Sequence, residues 1–235
     1  MKKALVAGAT GLIGELLVLE LIRSGQYNEI RIITRRQTKY HDEHLVLEYI
    51  IDFDKIDQYD HLFHNIDDVF VCLGTTMKKA KSKKQFMKVD YTYPIAIGKL
   101  GLENDVKQYV IVSSIGADRD SRFFYSKVKG KTEEKLISMM LPSIHIFRPS
   151  LLVGDRGEFR LGEKAAELVG RPFSLLLIGP LEKYKPVKGT YLAKAMCTVA
   201  QEDSSGVHIY ESDQILRLGK ILNNDYRRSR HDGTV

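Results

Sequence analysis

Short apolar runs alternate along the chain with longer segments in which apolar residues recur at helical spacing. Ala4 to Ala7 is apolar throughout, the pattern of a strand buried on both faces. Leu12 to Arg23 follows with apolar residues at Leu12, Ile13, Leu16, Leu17, Leu19 and Leu21, a helical pattern, and Gly25 stands where a C-cap belongs. Further strands are expected at Ile30–Thr34, Leu45–Ile51, Asp68–Leu73, Tyr109–Val112, Ile144–Phe147 and Val207–Tyr210. Helices are expected at Phe86–Asn104 (through Pro94), Arg122–Met140, Gly162–Val169 and Leu192–Gln201. The apolar stretch Phe173–Leu181 reads as pocket lining or core. Strand–helix alternation of this kind predicts an α/β fold, a doubly wound parallel sheet with helices on both faces. There is no Pro/Gly/Ser linker and no repeat, so residues 1–235 are expected to form a single domain. Residues from about 155 to 219 would be a small C-terminal region on the substrate side. Residues 220–235, polar and basic, would be a partly disordered tail.

Composition narrows the class. With 235 residues, 43% hydrophobic and 28% charged, the chain fits a soluble globular protein with a sizeable core. Its two cysteines, Cys72 and Cys197, form no CxxC or Cys/His cluster, which argues against a disulfide framework or a metal site and for a reducing, cytoplasmic setting. His61 and His64 alone do not make a metal site. The start Lys2-Lys3 before an apolar run imitates a signal peptide, but Gly8, Gly11 and Gly14 interrupt it, and no run reaches transmembrane length. The net charge of +6 reads as a mildly basic surface. Lys78, Lys79, Lys81, Lys83 and Lys84 crowd one segment without interleaved aromatics, so a solvated loop is expected there rather than a nucleic-acid platform.

The chemistry begins at the first turn. Gly8, Thr10, Gly11, Leu12, Ile13 and Gly14 lie between an apolar strand and a helix, with the glycines spaced GxxGxxG. Such a turn lets the backbone approach a pyrophosphate and aims the free N–H groups and positive dipole end of the helix at it. This is a Rossmann-type dinucleotide signature in the required context. At the end of the second strand an acidic residue would hold the ribose 2′-hydroxyl of NAD; the chain has Thr34-Arg35-Arg36 there. Two guanidinium groups suit a 2′-phosphate, so NADP(H) is favoured over NAD(H). Asp52, at the third strand end, stands either as an adenine contact or as a turn residue.

A second constellation lies beyond the fifth strand. Tyr125 and Lys129 form YxxxK, and the i, i+4 spacing puts phenol and ammonium on one helix face. A neighbouring cation favours phenolate, which brings the phenol towards useful proton exchange. Ser113 and Ser114, at the preceding strand end, are candidates to orient a substrate carbonyl.

Taken in order, the segments GATGLIG, ITRR, VCLGTT, FMKVDYTY, SSIGAD, YSKVKGKTEEKL and FRPSLLVGDR resemble the atypical branch of the short-chain dehydrogenase/reductase superfamily. Within it the chain is most similar to the Tat-interacting-protein type of NADPH-binding oxidoreductases. The resemblance covers roughly residues 1 to 160, with a weaker match at PVKG and AKAM, residues 186 to 196. It implies that the glycine turn holds the pyrophosphate and that Arg35 and Arg36 hold the 2′-phosphate. Leu73, Gly74 and Thr75 would line the ribose and nicotinamide path, Pro149 and Leu152 would flank the nicotinamide, and Arg160 would reach the cofactor. Tyr125 would be the acid/base, Lys129 its partner and a ribose contact, and Ser114 or Ser113 the third member. Ten residues separate Ser114 from Tyr125, fewer than is usual in the superfamily, so both serines stand as candidates.

Three functional readings follow. The first is an NADP(H)-dependent oxidoreductase acting on a small carbonyl or alcohol substrate, as a monomer or homodimer. The second is an NADPH-sensing regulator that reports occupancy to a protein partner. The third, an epimerase of nucleotide sugars, shares the site chemistry, but the short C-terminal portion leaves it little room.

Overall fold

The computed structural model describes residues 1–153 and 179–220. The first strand, β1 (Lys2–Ala7), is followed by β2 (Tyr27–Thr34), β3 (Val46–Ile50), β4 (Asp68–Val71), β5 (Gln108–Val112) and β6 (Ser143–Arg148). Two two-residue strands, β7 (Leu152–Val153) and β8 (Val187–Lys188), precede β9 (Gly206–Glu211). Seven of these form one sheet in the order β3-β2-β1-β4-β5-β6-β9, and every neighbouring pair is parallel. β7 and β8 make a separate parallel pair, Leu152 opposite Val187. The central strands are apolar because both faces are covered: Leu5, Val6, Val69, Phe70, Val110 and Ile111 are all buried.

Two helical layers cover the sheet. One face packs on α1 (Leu12–Ser24), on the late helix Gly189–Val199 and on residues 212–220, through Leu17, Leu21, Met196 and Ile215. The other packs on the 3-10 segment Phe53–Phe63 and two further helices, Tyr93–Glu103 and Phe124–Ile137. This is the doubly wound, Rossmann-like α/β architecture that the alternation predicts.

The helices differ in detail from the spacing-based expectation. The lysine-rich segment contains two short helices, α2 (Met77–Ala80) and α3 (Lys83–Met87), where a loop is expected. Each is capped by a side-chain hydroxyl: Thr76 accepts from the Lys79 N–H, and Ser82 from the Gln85 N–H. All five lysines are nevertheless exposed, as a solvated segment requires. The expected helix Phe86–Asn104 is broken into α3, a π-helical turn over Lys88–Thr92, and α4 (Tyr93–Glu103). Pro94 explains the break. It sits in the first turn of α4, where its missing N–H leaves no hydrogen bond unmade. Further helices are α5 (Phe124–Ile137) and α6 (Gly189–Val199). The 3-10 segment, the β7–β8 pair and the helix at 212–220 have no counterpart in the sequence-based expectation. The expected helix Gly162–Val169 and the tail from 221 lie outside the described residues, as do residues 173–178 of the apolar stretch Phe173–Leu181.

Where β6 meets β9, opposite residues His145 and His208 stack their rings with centroids 5.0 Å apart. His145 Nδ1 lies 3.0 Å from the Tyr210 hydroxyl, and Nε2 lies 3.1 Å from both Ser143 Oγ and Gln108 Oε1. Burial, helped by His208 and Lys2, pushes the His145 pKa down to about 4.

Candidate functional site

The seven strands of the sheet point the same way, so their carboxyl ends gather at one edge. Strand order reverses between β1 and β4, and a doubly wound sheet opens its ligand crevice at that point. The glycine turn follows β1, and Leu73–Thr75 follows β4.

The glycine turn is built by close approach. Gly8 adopts φ +95°, and a Cβ there would stand 2.6 Å from the Cys72 carbonyl carbon. A Cβ on Gly14 would stand 2.2 Å from the Gly8 oxygen, so only glycine lets α1 start directly against the turn. The Gly11 N–H donates to the Gly8 oxygen at 3.0 Å. Gly11 is the N-cap of α1, and no side chain caps the helix there. The first-turn N–H groups are therefore left for another acceptor. Ile13 is buried and Leu12 packs against the same core, so these two residues present their backbone rather than their side chains to the crevice. A cradle that a Cβ would fill, next to an uncapped helix start, fits a dinucleotide pyrophosphate.

At the end of β2, the Thr34 hydroxyl donates to the Arg36 carbonyl at 2.8 Å and turns the chain. Arg35 and Arg36 are left exposed. Arg35 is near enough to Tyr93 to act on its phenol, which donates to Asp54 at 2.8 Å. Burial, reinforced by Asp54, raises that phenol to about 12. Asp52 is exposed and accepts from the Asp54 N–H at 3.0 Å, capping the 3-10 segment.

The two serines after β5 are separated by their partners. Ser113 is buried and donates to Glu133, which also accepts from the Arg148 guanidinium. This clamp ties the end of β5 to α5 and to the end of β6. Ser114, also buried, has its hydroxyl 3.3 Å from the neighbouring Ile115 carbonyl, a weak local bond.

Tyr125 and Lys129 lie one turn apart on α5. The half-buried Tyr125 ring packs edge-on against Phe86, with centroids 5.8 Å apart. Lys129 is buried, and its ammonium lies 2.8 Å from Asp90 Oδ1. Burial opposes its charge, but Asp90, then Tyr125 and Glu133, outweigh it and raise the lysine above its ordinary range. Asp90 Oδ2 accepts the Thr75 N–H at 2.9 Å, so the carboxylate joins the β4 loop to α5. Sequence reasoning missed Asp90. An isolated aspartate inside an apolar helical pattern carries no motif; its one signal was the strong disfavour for burying a carboxylate without a partner.

Other expected positions are placed less directly. Gly74 is exposed beside Asp90. The Pro149 carbonyl accepts the Ile115 N–H at 3.0 Å, which holds the β5 and β6 loops together. Leu152, in β7, is buried in the core. Arg160 lies outside the described residues.

A profile of NAD(P)H-binding proteins matches residues 8–167, and the chain belongs to that family. Protein HTATIP2 of Rattus norvegicus is 31% identical over 221 residues, covering 93% of this chain and 90% of the relative. A second relative, the mitochondrial protein FMP52 of Candida albicans, is 31% identical over 229 residues, with 93% and 98% covered. Among solved structures, MoeE5 in complex with UDP-glucose and NAD aligns with TM-score 0.65 at 17% identity, covering 94% of this chain and 82% of that one. ElxO with NADP bound aligns with TM-score 0.65 at 17% identity, covering 91% and 98%. Those two likenesses establish the fold, and between them the neighbours hold both NAD and NADP.

One expectation is overturned. Cysteine usage suggests a cytoplasmic setting, yet relatives from Candida albicans and Eremothecium gossypii are named as mitochondrial proteins. Two free cysteines are compatible with more than one compartment and do not single out the cytoplasm. No helix among the described residues is long and apolar enough to cross a membrane.

Proposed function

We propose that the protein is an NADP(H)-dependent oxidoreductase of the short-chain dehydrogenase/reductase type, acting on a carbonyl/alcohol pair. The observation that supports it best is Tyr125 and Lys129 on one turn of α5, the lysine buried and paired, at the sheet edge that also carries the glycine cradle. Bound NADPH would supply the hydride to a carbonyl carbon. The chain's own groups do the rest. The turn Gly8–Gly14, including Thr10, holds the pyrophosphate against the N-terminus of α1. Arg35 and Arg36 would pair with the 2′-phosphate, Asp52 would contact the adenine, Leu73, Gly74, Thr75, Pro149 and Leu152 would line the path to the reacting end, and Arg160 would be a further cofactor contact. Tyr125 Oη gives its proton to the developing alkoxide, and takes it back in the reverse direction. Lys129 stabilises the phenolate that remains and holds the cofactor's ribose. Ser114 orients the carbonyl oxygen, a role Ser113 is poorly placed to fill while it bonds to Glu133.

The test is transfer of deuterium from NADPH labelled at the nicotinamide C4 to a panel of reactive carbonyl compounds. Label recovered in the product alcohol supports the reading. Tight NADPH binding with no transfer across the panel would overturn it and favour a regulator that senses cofactor.

A further inference from the structure

We propose that Asp90 is a positioning residue of this site: its carboxylate locks Lys129 and the Thr75 backbone into one buried unit and cancels the lysine's charge. The proposal rests on the reading of Tyr125 and Lys129 as an acid/base pair and goes beyond it, because it makes the ammonium one half of a neutral pair.

The geometry is specific. Asp90 is 1% exposed and Lys129 7% exposed at their side chains, and they meet at 2.8 Å. Asp90 Oδ1 makes no hydrogen bond elsewhere among the described residues, so the lysine is its partner. Oδ2 is taken by the Thr75 N–H. The backbone of Asp90 is held as well, since its carbonyl accepts the Thr132 hydroxyl of α5 at 2.8 Å. Asp90 lies in the π-helical turn Lys88–Thr92 between α3 and α4, a local widening of the helix of the kind often found at functional positions. Lys88, on the same turn, is drawn away to Asp54 at 2.7 Å. Among the described residues, Tyr125 and Glu133 of α5 also act on Lys129, and Glu133 is held by Arg148.

This arrangement has a consequence for Tyr125. A lone buried ammonium one turn away would strongly favour phenolate; one paired with a carboxylate does so weakly, because the opposite charge offsets its field. Asp90 therefore offsets the field that Lys129 would otherwise place on Tyr125, while the ion pair holds the lysine fixed. The Thr75 bond carries the same carboxylate to the loop after β4, so loop and lysine are set by one residue.

The experiment is a pH titration of the full-length protein labelled with ¹³Cζ-tyrosine, the Tyr125 resonance being assigned with Tyr125→Phe. It needs no turnover. Relative to wild type, Asp90→Asn should move the Tyr125 midpoint down by about one pH unit, a tenfold change in the phenolate ratio. Lys129→Met, which leaves Asp90 unopposed, should move it up. The double variant Asp90→Asn/Lys129→Met carries no unpaired buried charge, so it remains readable if a single variant does not fold, and its midpoint should return to within about half a unit of wild type. A double variant displaced upward as far as Lys129→Met would overturn the neutral-pair proposal, as would an Asp90→Asn midpoint that does not move. If Lys129→Met itself leaves Tyr125 unmoved, the Tyr125–Lys129 coupling fails and the proposal with it. Absence of carbonyl reduction would bear on the oxidoreductase reading and leave these titrations intact.

Discussion

The hydroxyl of Ser113 donates to Glu133, while that of Ser114, one residue on, reaches no side chain among the described residues. Adjacent serines with the same sequence credentials thus have different work. We expect Ser114→Ala to lower carbonyl turnover by about 10²-fold, with little change in melting temperature. Ser113→Ala should chiefly reduce stability, by about 1.5–3 kcal/mol, because it removes a hydrogen bond to a buried charged group. Parallel kinetics and thermal unfolding of the two variants check the division; the reverse pattern would reassign the serine.

Gly14→Ala sets a methyl group against the Gly8 carbonyl, at an ideal separation of 2.2 Å from its oxygen. Neither α1 nor the turn can yield without opening the cradle. We expect loss of NADPH binding by at least tenfold and destabilisation of about 1–3 kcal/mol, measured by nicotinamide fluorescence and urea unfolding. Unchanged affinity would detach the turn from the cofactor.

Arg35 and Arg36 stand exposed at the end of β2, where an acidic residue would select NAD. Arg35→Ala with Arg36→Ala should weaken NADPH binding by about tenfold or more, as loss of charge-assisted bonds requires. NADH binding should hardly move. Equal affinities for the two cofactors in the unaltered protein would contradict the preference.

His145 predicts a pH dependence of stability away from the site. In the unfolded chain a histidine takes up its proton near 6.5, whereas the buried ring resists until about 4. Between those values the unfolded state binds more protons, so stability present above about 6.5 is lost as pH falls towards 4. Urea midpoints at pH 7.5 and 4.5 should fall further apart for the wild type than for His145→Gln. Equal pH sensitivity would show that the His145 ring does not drive the loss.

The sheet was legible because its central strands are buried on both faces and read as continuous apolar runs, as in Ala4–Ala7. The C-cap at Gly25 was legible too; it takes the left-handed φ of +62° that glycine accommodates. The 3-10 segment Phe53–Phe63 was not, because Phe53, Ile56, Leu62 and Phe63 reach the core around polar residues that break any helical period. Lys129 was legible as half of a spaced pair. Asp90 was not, since it meets Lys129 only through tertiary packing across 39 positions, a distance no local pattern encodes. Ser113 and Ser114 were indistinguishable until Glu133 and Arg148 were brought beside one of them.

The most direct test of the oxidoreductase reading is single-turnover oxidation of bound NADPH by a reactive aldehyde, in the unaltered protein and in Tyr125→Phe. Binding should be matched beforehand by nicotinamide fluorescence. The reading predicts NADPH affinity within about twofold and a rate of oxidation lowered by about 10²–10⁴-fold, the usual contribution of a positioned general acid. An undiminished rate in Tyr125→Phe would contradict it.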